Sequence, residues 1–146
     1  MKNKIMLITY ADSFGRNLKE LNQVLDLYFR KEIGAIHILP FFPSSGDRGF
    51  APLTYEMVDA NFGTWDDIDT LGSKYELMFD FMINHLSRQS KYFQDFVEKH
   101  DGSEYADMFL RFKKFWPGGE PTEEQIRMLN KRKPCAPCVD ITFADQ

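Results

Sequence analysis

Three short apolar runs, at residues 5–9, 35–39 and 77–81, alternate with two stretches whose apolar residues recur at helical spacing. No other feature limits the fold as strongly. A run of roughly 4–8 apolar residues bounded by turn signals suits a strand buried on both faces. Between the first two runs, Leu18, Leu21, Leu25, Tyr28 and Phe29 form one helical stripe. Asn17 and Glu20 stand three apart at its start, the spacing of a capping box, and Gly34 is expected to stop it. Between the second and third runs, Thr64 is the expected cap. Asp66 and Asp67 suit the positive end of the helix dipole, and Trp65, Ile68, Leu71 and Tyr75 supply the buried face. Strand, helix, strand, helix, strand calls for right-handed crossovers and a parallel sheet, so the fold class is α/β.

The pattern changes after Leu86. Tyr92, Phe93, Phe96 and Val97 predict a helix closed by Asp101 and Gly102, and a second short helix is expected over 104–112. Residues 115–119, Phe-Trp-Pro-Gly-Gly, form a turn; Thr122 and Gln125 open another helix as a capping box; residues 139–143 suit a strand. The expected division is therefore 1–86 and 87–146.

Composition narrows the class. Across 146 residues the hydrophobic fraction is 43%, the charged fraction 27% and the net charge −4. These values suit a folded domain and argue against a nucleic-acid or anionic-membrane partner. The 14 Phe suit a core and also sugar-stacking platforms. Cys135 and Cys138 form one C-x-x-C pair, with no second pair and with His37, His85 and His100 far upstream, so no metal or cofactor is expected. Residues 5–8 are too few for the roughly 7–15 apolar residues of a signal peptide or the roughly 20 of a membrane span. A cytoplasmic protein is expected.

In parallel α/β folds, ligands bind beyond the carboxyl ends of the strands. Tyr10 and Asp12 follow the first strand, Asp47 lies in the loop after the second, and Asp80, Asn84 and His85 end the third. Such residues can converge on one pocket. Asp80 can equally serve only to hold a turn, and His85 can be a satisfied core histidine; spacing does not separate these readings.

The wording of the segments adds to this. Asp80-Phe-Met-Ile-Asn84-His85 resembles the D-x-x-x-N-H motif at the third strand of α-amylase-superfamily barrels. It accompanies Leu7-Ile-Thr-Tyr-Ala-Asp12, His37-Ile-Leu-Pro-Phe-Phe42, Gly46-Asp-Arg-Gly-Phe50-Ala-Pro52, Val58-Asp59, Phe62-Gly-Thr-Trp65 and Asn84-His-Leu-Ser-Arg88. Together these resemble the sucrose phosphorylases of glycoside hydrolase family 13, over the whole chain.

The resemblance implies the first three strands of a (β/α)8 TIM barrel, plus the start of a small domain inserted after strand three. It implies retaining glucosyl transfer from sucrose to inorganic phosphate, yielding α-glucose 1-phosphate and fructose. Asp47 matches the carboxylate that grips non-reacting glucosyl hydroxyls; a carboxylate is acceptor-only and can take two hydroxyl protons. Phe50 matches an aromatic wall beside that sugar, His85 a histidine bonded to a glucosyl hydroxyl, and Asn84 its support. Asp80 is expected to order the strand end.

Retaining chemistry needs two carboxyl groups about 5 Å apart. In the resembled family they stand on the fourth and fifth strands, and no residue of this chain is assigned as catalytic. Asp140 and Asp145 lack the matching context. Asn130, Cys135 and Cys138 depart from the family pattern, and the basic run 131–133 suits either a phosphate or a solvated loop. The chain alone is expected to be inactive, with outer strands left open to aggregation. Alternatives are a fragment of a sister phosphorylase acting on sucrose 6-phosphate or glucosylglycerate, and a non-catalytic sugar-binding remnant. An unrelated dinucleotide-binding fold is disfavoured, because the loop over 13–17 has one Gly where a phosphate loop needs several.

Overall fold

The computed structural model describes residues 4–129 and 141, with Asp47 and Leu129 described by backbone alone. The strand expected over 139–143 therefore lies almost wholly outside the described residues. So do Asn130, the run 131–133, Cys135, Cys138, Asp140 and Asp145. Two compact units divide the chain, Met1–Lys91 and Tyr92–Gln146.

The first unit carries a parallel sheet in the order β1 (Ile5–Thr9), β2 (Ile33–Ile38), β3 (Glu76–Phe79), joined by helices α1 (Leu18–Tyr28) and α2 (Trp65–Gly72). This is the βαβαβ order that begins a TIM barrel. Register assigns the two faces. Leu7 pairs with Ile36 and Ile36 with Leu77; Thr9 pairs with Ile38 and Ile38 with Phe79. These rows face the helices, where Leu18, Leu21, Leu25, Ile36, Ile38, Ile68 and Leu71 form the core and Leu7 and Leu77 pack against it. The alternate row, Ile8–His37–Met78, faces away, and Ile8 is 61% exposed.

Local chemistry sets the helix starts. Asn17 Oδ1 accepts from the Glu20 amide at 2.9 Å. The expected return bond is redirected: Glu20 Oε2 accepts from the Arg16 amide at 2.9 Å rather than from Asn17, because the Arg16 guanidinium holds Glu20 Oε1 at 2.6 Å. That hydrogen bond keeps the Glu20 carboxyl below its ordinary range. At α2, Asp67 Oδ2 accepts from the Thr64 amide at 2.9 Å, as its position three residues on implies.

Several local expectations change. Gly34 does not stop α1; the helix ends at Tyr28, with the Phe29 amide still donating to the Leu25 carbonyl at 3.0 Å, and Gly34 lies inside β2. A side chain there would collide with Lys4, whose nearest carbon would lie 2.1 Å from an added Cβ. Tyr28 is 70% exposed, because Phe29 turns inward at the helix end and meets Phe14 edge-on at 6.0 Å. Trp65 is only partly covered: it sits edge-on to Phe41 at 5.9 Å, and its indole N–H donates to the Glu56 carbonyl at 3.2 Å.

From Tyr92 on, the second unit holds α3 (Lys91–Lys99, its first residue ending the first unit), 3-10 turns at His100–Gly102 and Ala106–Met108, then α4 (Phe112–Phe115) and α5 (Glu123–Leu129). The helix expected over 104–112 is thus a single short turn. Its apolar residues serve a local aromatic cluster instead: Phe109 stacks on Phe96 at 4.9 Å and meets Phe93 edge-on at 5.4 Å. Thr122 and Gln125 do form the capping box: Gln125 Oε1 accepts from the Thr122 amide at 2.7 Å, and Thr122 Oγ1 accepts from the Gln125 amide at 3.3 Å.

Candidate functional site at the carboxyl ends of the strands

The three strands end in the three segments that hold the candidate residues, and each segment is locked differently. After β1 the ladder continues one bond further, from the Leu39 amide to the Thr9 carbonyl at 2.9 Å, which places Tyr10 and Asp12 at the sheet's edge. After β2 the chain is anchored by Phe41 and Phe42, both buried and stacked at 4.5 Å; Phe42 also meets Tyr55 edge-on at 4.9 Å. The following loop is closed at its stem by the Leu53 amide donating to the Pro43 carbonyl at 2.8 Å and by a Ser44–Pro52 bridge. Its tip is a 3-10 turn over Asp47–Gly49.

After β3, Tyr55 clamps the exit. Its hydroxyl donates to the Met82 carbonyl at 3.0 Å and accepts from the Met82 amide at 3.1 Å. Ser87, buried at 6% exposure, joins this segment to the β2 loop. Its amide donates to the Pro52 carbonyl at 3.0 Å, and its hydroxyl lies 2.7 Å from that of Ser45.

The clamps bring three of the candidate residues into one hydrogen-bonded set. His85 Nε2 lies 2.8 Å from the Phe50 carbonyl, and Nδ1 lies 2.8 Å from the Asn84 side-chain amide nitrogen. A carbonyl oxygen only accepts, so the proton is on Nε2; Nδ1 then accepts from Asn84. One tautomer is thereby selected. Both His85 and Asn84 are exposed to solvent.

Asp47 lies in the same loop as Phe50, three residues before it, on the 3-10 turn. Asp80 is engaged elsewhere: its Oδ2 lies 3.1 Å from His37 Nε2, joining the end of β3 to β2. His37 is a partner that sequence spacing does not reveal.

A further residue emerges that the spacing does not single out. Arg48 has φ 50 and ψ 41, the left-handed region, which costs a residue with a side chain roughly 1–2 kcal/mol. Its guanidinium sits 4.2 Å over the Tyr10 ring and donates to Asp12 Oδ1 at 3.1 Å. Tyr10 and Asp12 are thus drawn to Arg48 and not to His85. The only sequence hint is an Arg placed between Asp47 and Gly49 in a loop of small residues. A cleft of about 230 Å³ opens beside this contact, lined by Tyr10, Phe42, Ser44, Gly46, Arg48, Gly49, Asp59 and Phe62. Among the described residues, no cluster of three or more His, Cys, Asp or Glu could hold a metal ion, and no helix is long and apolar enough to cross a membrane.

The chain is similar to known proteins over most of its length. The family model for the alpha-amylase catalytic domain matches residues 9–136. The chain is 60% identical over 143 residues to a sucrose phosphorylase of Streptococcus mutans serotype c, covering 98% of this chain and 30% of that enzyme. It is 43% identical over 145 residues to a glucosylglycerol phosphorylase of Marinobacter adhaerens, covering 99% of this chain and 30% of the relative. The crystal structure of sucrose 6F-phosphate phosphorylase from Thermoanaerobacter thermosaccharolyticum superposes with a TM-score of 0.82 at 51% identity. The match covers 92% of this chain and 27% of that one. The chain thus spans about 30% of the length of the curated relatives it matches.

Proposed function

We propose, from the premise that this chain belongs to the alpha-amylase catalytic-domain family, that it forms the glucosyl-gripping portion of a sucrose-phosphorylase-type enzyme. The observation that carries this reading is the hydrogen-bonded set His85–Asn84–Phe50 on the loop ends of β2 and β3, with Asp47 on the adjoining turn. The reaction is retaining glucosyl transfer from sucrose to phosphate. In this reading residues 1–86 are the opening part of the barrel, and residues 87–146 begin the domain inserted after β3. The setting is cytoplasmic.

Each residue has a chemical task. The Asp47 carboxylate accepts two hydroxyl protons from the glucosyl unit, and such charge-assisted bonds are the strong ones. The Phe50 ring walls the sugar. His85 shares its Nε2 proton between the Phe50 carbonyl and a glucosyl hydroxyl, so that the carbonyl aims the ring at the sugar. Asn84 keeps the donating tautomer in place by holding Nδ1 as an acceptor. None of these groups is the nucleophile or the acid/base. Those carboxylates belong to later strands of the barrel, and the 146 residues alone are inactive.

The experiment is a hybrid: the matched segment of the Streptococcus mutans enzyme replaced by this chain, followed by glucose 1-phosphate release from sucrose. Release is expected from the hybrid and not from this chain alone. Asp47→Ala in the hybrid is expected to lower kcat/KM on the order of ten- to a hundredfold, the worth of a hydrogen bond to a charged group. A folded hybrid indifferent to Asp47→Ala and His85→Ala would overturn the reading. A second reading is favoured by the likeness to sucrose 6F-phosphate phosphorylase: the same grip serving a sister phosphorylase with another acceptor. Phosphorolysis of sucrose 6F-phosphate in preference to sucrose would decide for it.

A further inference from the structure

Three consecutive residues of one loop are tied to the ends of three successive strands. Arg48 reaches the segment after β1, over the Tyr10 ring at 4.2 Å and onto Asp12 Oδ1 at 3.1 Å. Gly49, at φ +94, packs against the segment after β2 so closely that an added Cβ would lie 2.6 Å from the Pro40 carbonyl oxygen. Phe50 reaches the segment after β3 through its carbonyl, which accepts from His85 Nε2 at 2.8 Å. Asp47 immediately precedes this stitch. The loop therefore has one adjustable anchor. The Gly49 contact is set by backbone packing and the Phe50 contact by a main-chain carbonyl, whereas the Arg48 contact is made by a side chain alone.

The conformation of Arg48 sharpens the point. The left-handed region is open to glycine without steric cost, and the neighbouring position already has a glycine. A long cation stands here instead, with its head between an aromatic face and a carboxylate. Cation–π and ion-pair contacts at a site 59% exposed contribute little to stability. What they do supply is direction, because the planar guanidinium is held from two sides.

We propose that Arg48 is a positioning residue. Held by Tyr10 and Asp12, it sets the pose of the 46–50 loop, so that the Asp47 turn and the Phe50 carbonyl meet His85 in register. The proposal rests on the glucosyl-gripping reading for its functional consequence, but its geometric part is measurable separately.

The test uses the full 146-residue chain. One readout is the NMR signal of the His85 Nε2 proton hydrogen-bonded to the Phe50 carbonyl. The other is binding of α-glucose 1-phosphate. Arg48→Gly removes the guanidinium while accommodating the left-handed backbone. It is expected to leave the melting temperature within a few degrees, abolish this hydrogen-bonded His85 signal and weaken α-glucose 1-phosphate binding about tenfold. Arg48→Lys, which keeps a cation over Tyr10, is expected to recover part of both. Tyr10→Leu and Asp12→Asn each remove one anchor with Arg48 in place, and each should reduce the His85 signal, which guards against a glycine variant that fails to fold. A His85 signal and an affinity unchanged in Arg48→Gly, or a His85 signal unchanged in both anchor variants, overturns the proposal. Loss of the His85 signal on Arg48→Gly, together with a folded hybrid indifferent to Asp47→Ala and His85→Ala, sustains the positioning role and sinks the glucosyl-gripping reading.

Discussion

The two faces of the three-stranded sheet are built from alternate residues of the same strands, yet they live in different surroundings. On one face Ile36 and Ile38 are fully buried beneath Leu18, Leu21, Leu25 and Leu71. On the other, one residue along, Ile8 is 61% and Met78 44% exposed on either side of His37. Strands that are apolar on both faces are characteristic of parallel sheets covered on both sides. The comparison teaches that strand apolarity marks a capacity for burial. Only the neighbouring elements decide which face uses it.

The largest effect should come from the covered face. Leu25→Ala removes a fully buried side chain from the α1 stripe and should destabilise the chain by about 2–5 kcal/mol, read from urea denaturation. A loss well below that range would mean the helix-covered side is not the main source of cohesion.

Next is a polar flaw within that same face. Tyr75 is 5% exposed, and its hydroxyl has no hydrogen-bond partner among the described residues. Burial, with the nearby Asp26 carboxylate, pushes its pKa above the ordinary tyrosine value. A raised folded-state value means the stability tied to the neutral phenol is complete below the ordinary value of about 10, and is lost as pH climbs through the folded one. Tyr75→Phe should therefore raise stability by up to about 1 kcal/mol at pH 7, because a buried unpaired hydroxyl is removed. It should also flatten the alkaline decline seen in denaturation at pH 9 to 11. A variant less stable than the parent would show that the hydroxyl has a partner after all.

The smallest effect should lie on the open face. Ile8→Thr should change stability by less than about 0.5 kcal/mol, as exposed substitutions do. A cost near that of Leu25→Ala would show that this face is covered in solution, and the difference between the faces would vanish.

Much of the fold was legible in the sequence because it follows from period and local bonding. The stripe Leu18, Leu21, Leu25 and the caps Asn17 and Thr64 need only neighbours within one or two turns, and they hold. Residue-type punctuation was less reliable. Gly34 looked like a helix stop because glycine ends helices, yet its lack of a side chain is used for the approach of Lys4 across the β1–β2 edge. Tyr28 looked like part of the stripe because spacing cannot see that the helix ends beneath it.

The candidate site divides along the same line. The order of the strands, the residue types at their ends and the likeness of Asp47, Phe50, Asn84 and His85 to a family pattern were all determined by the amino-acid sequence. That His85 spends both ring nitrogens on Asn84 and the Phe50 carbonyl, that Asp80 turns to His37, and that Arg48 spans to Tyr10 and Asp12 were decided by tertiary structure alone. The physical reason is separation along the chain. Most of these contacts join residues 35 to 43 positions apart, and only the packing of successive strands brings such groups within hydrogen-bond reach.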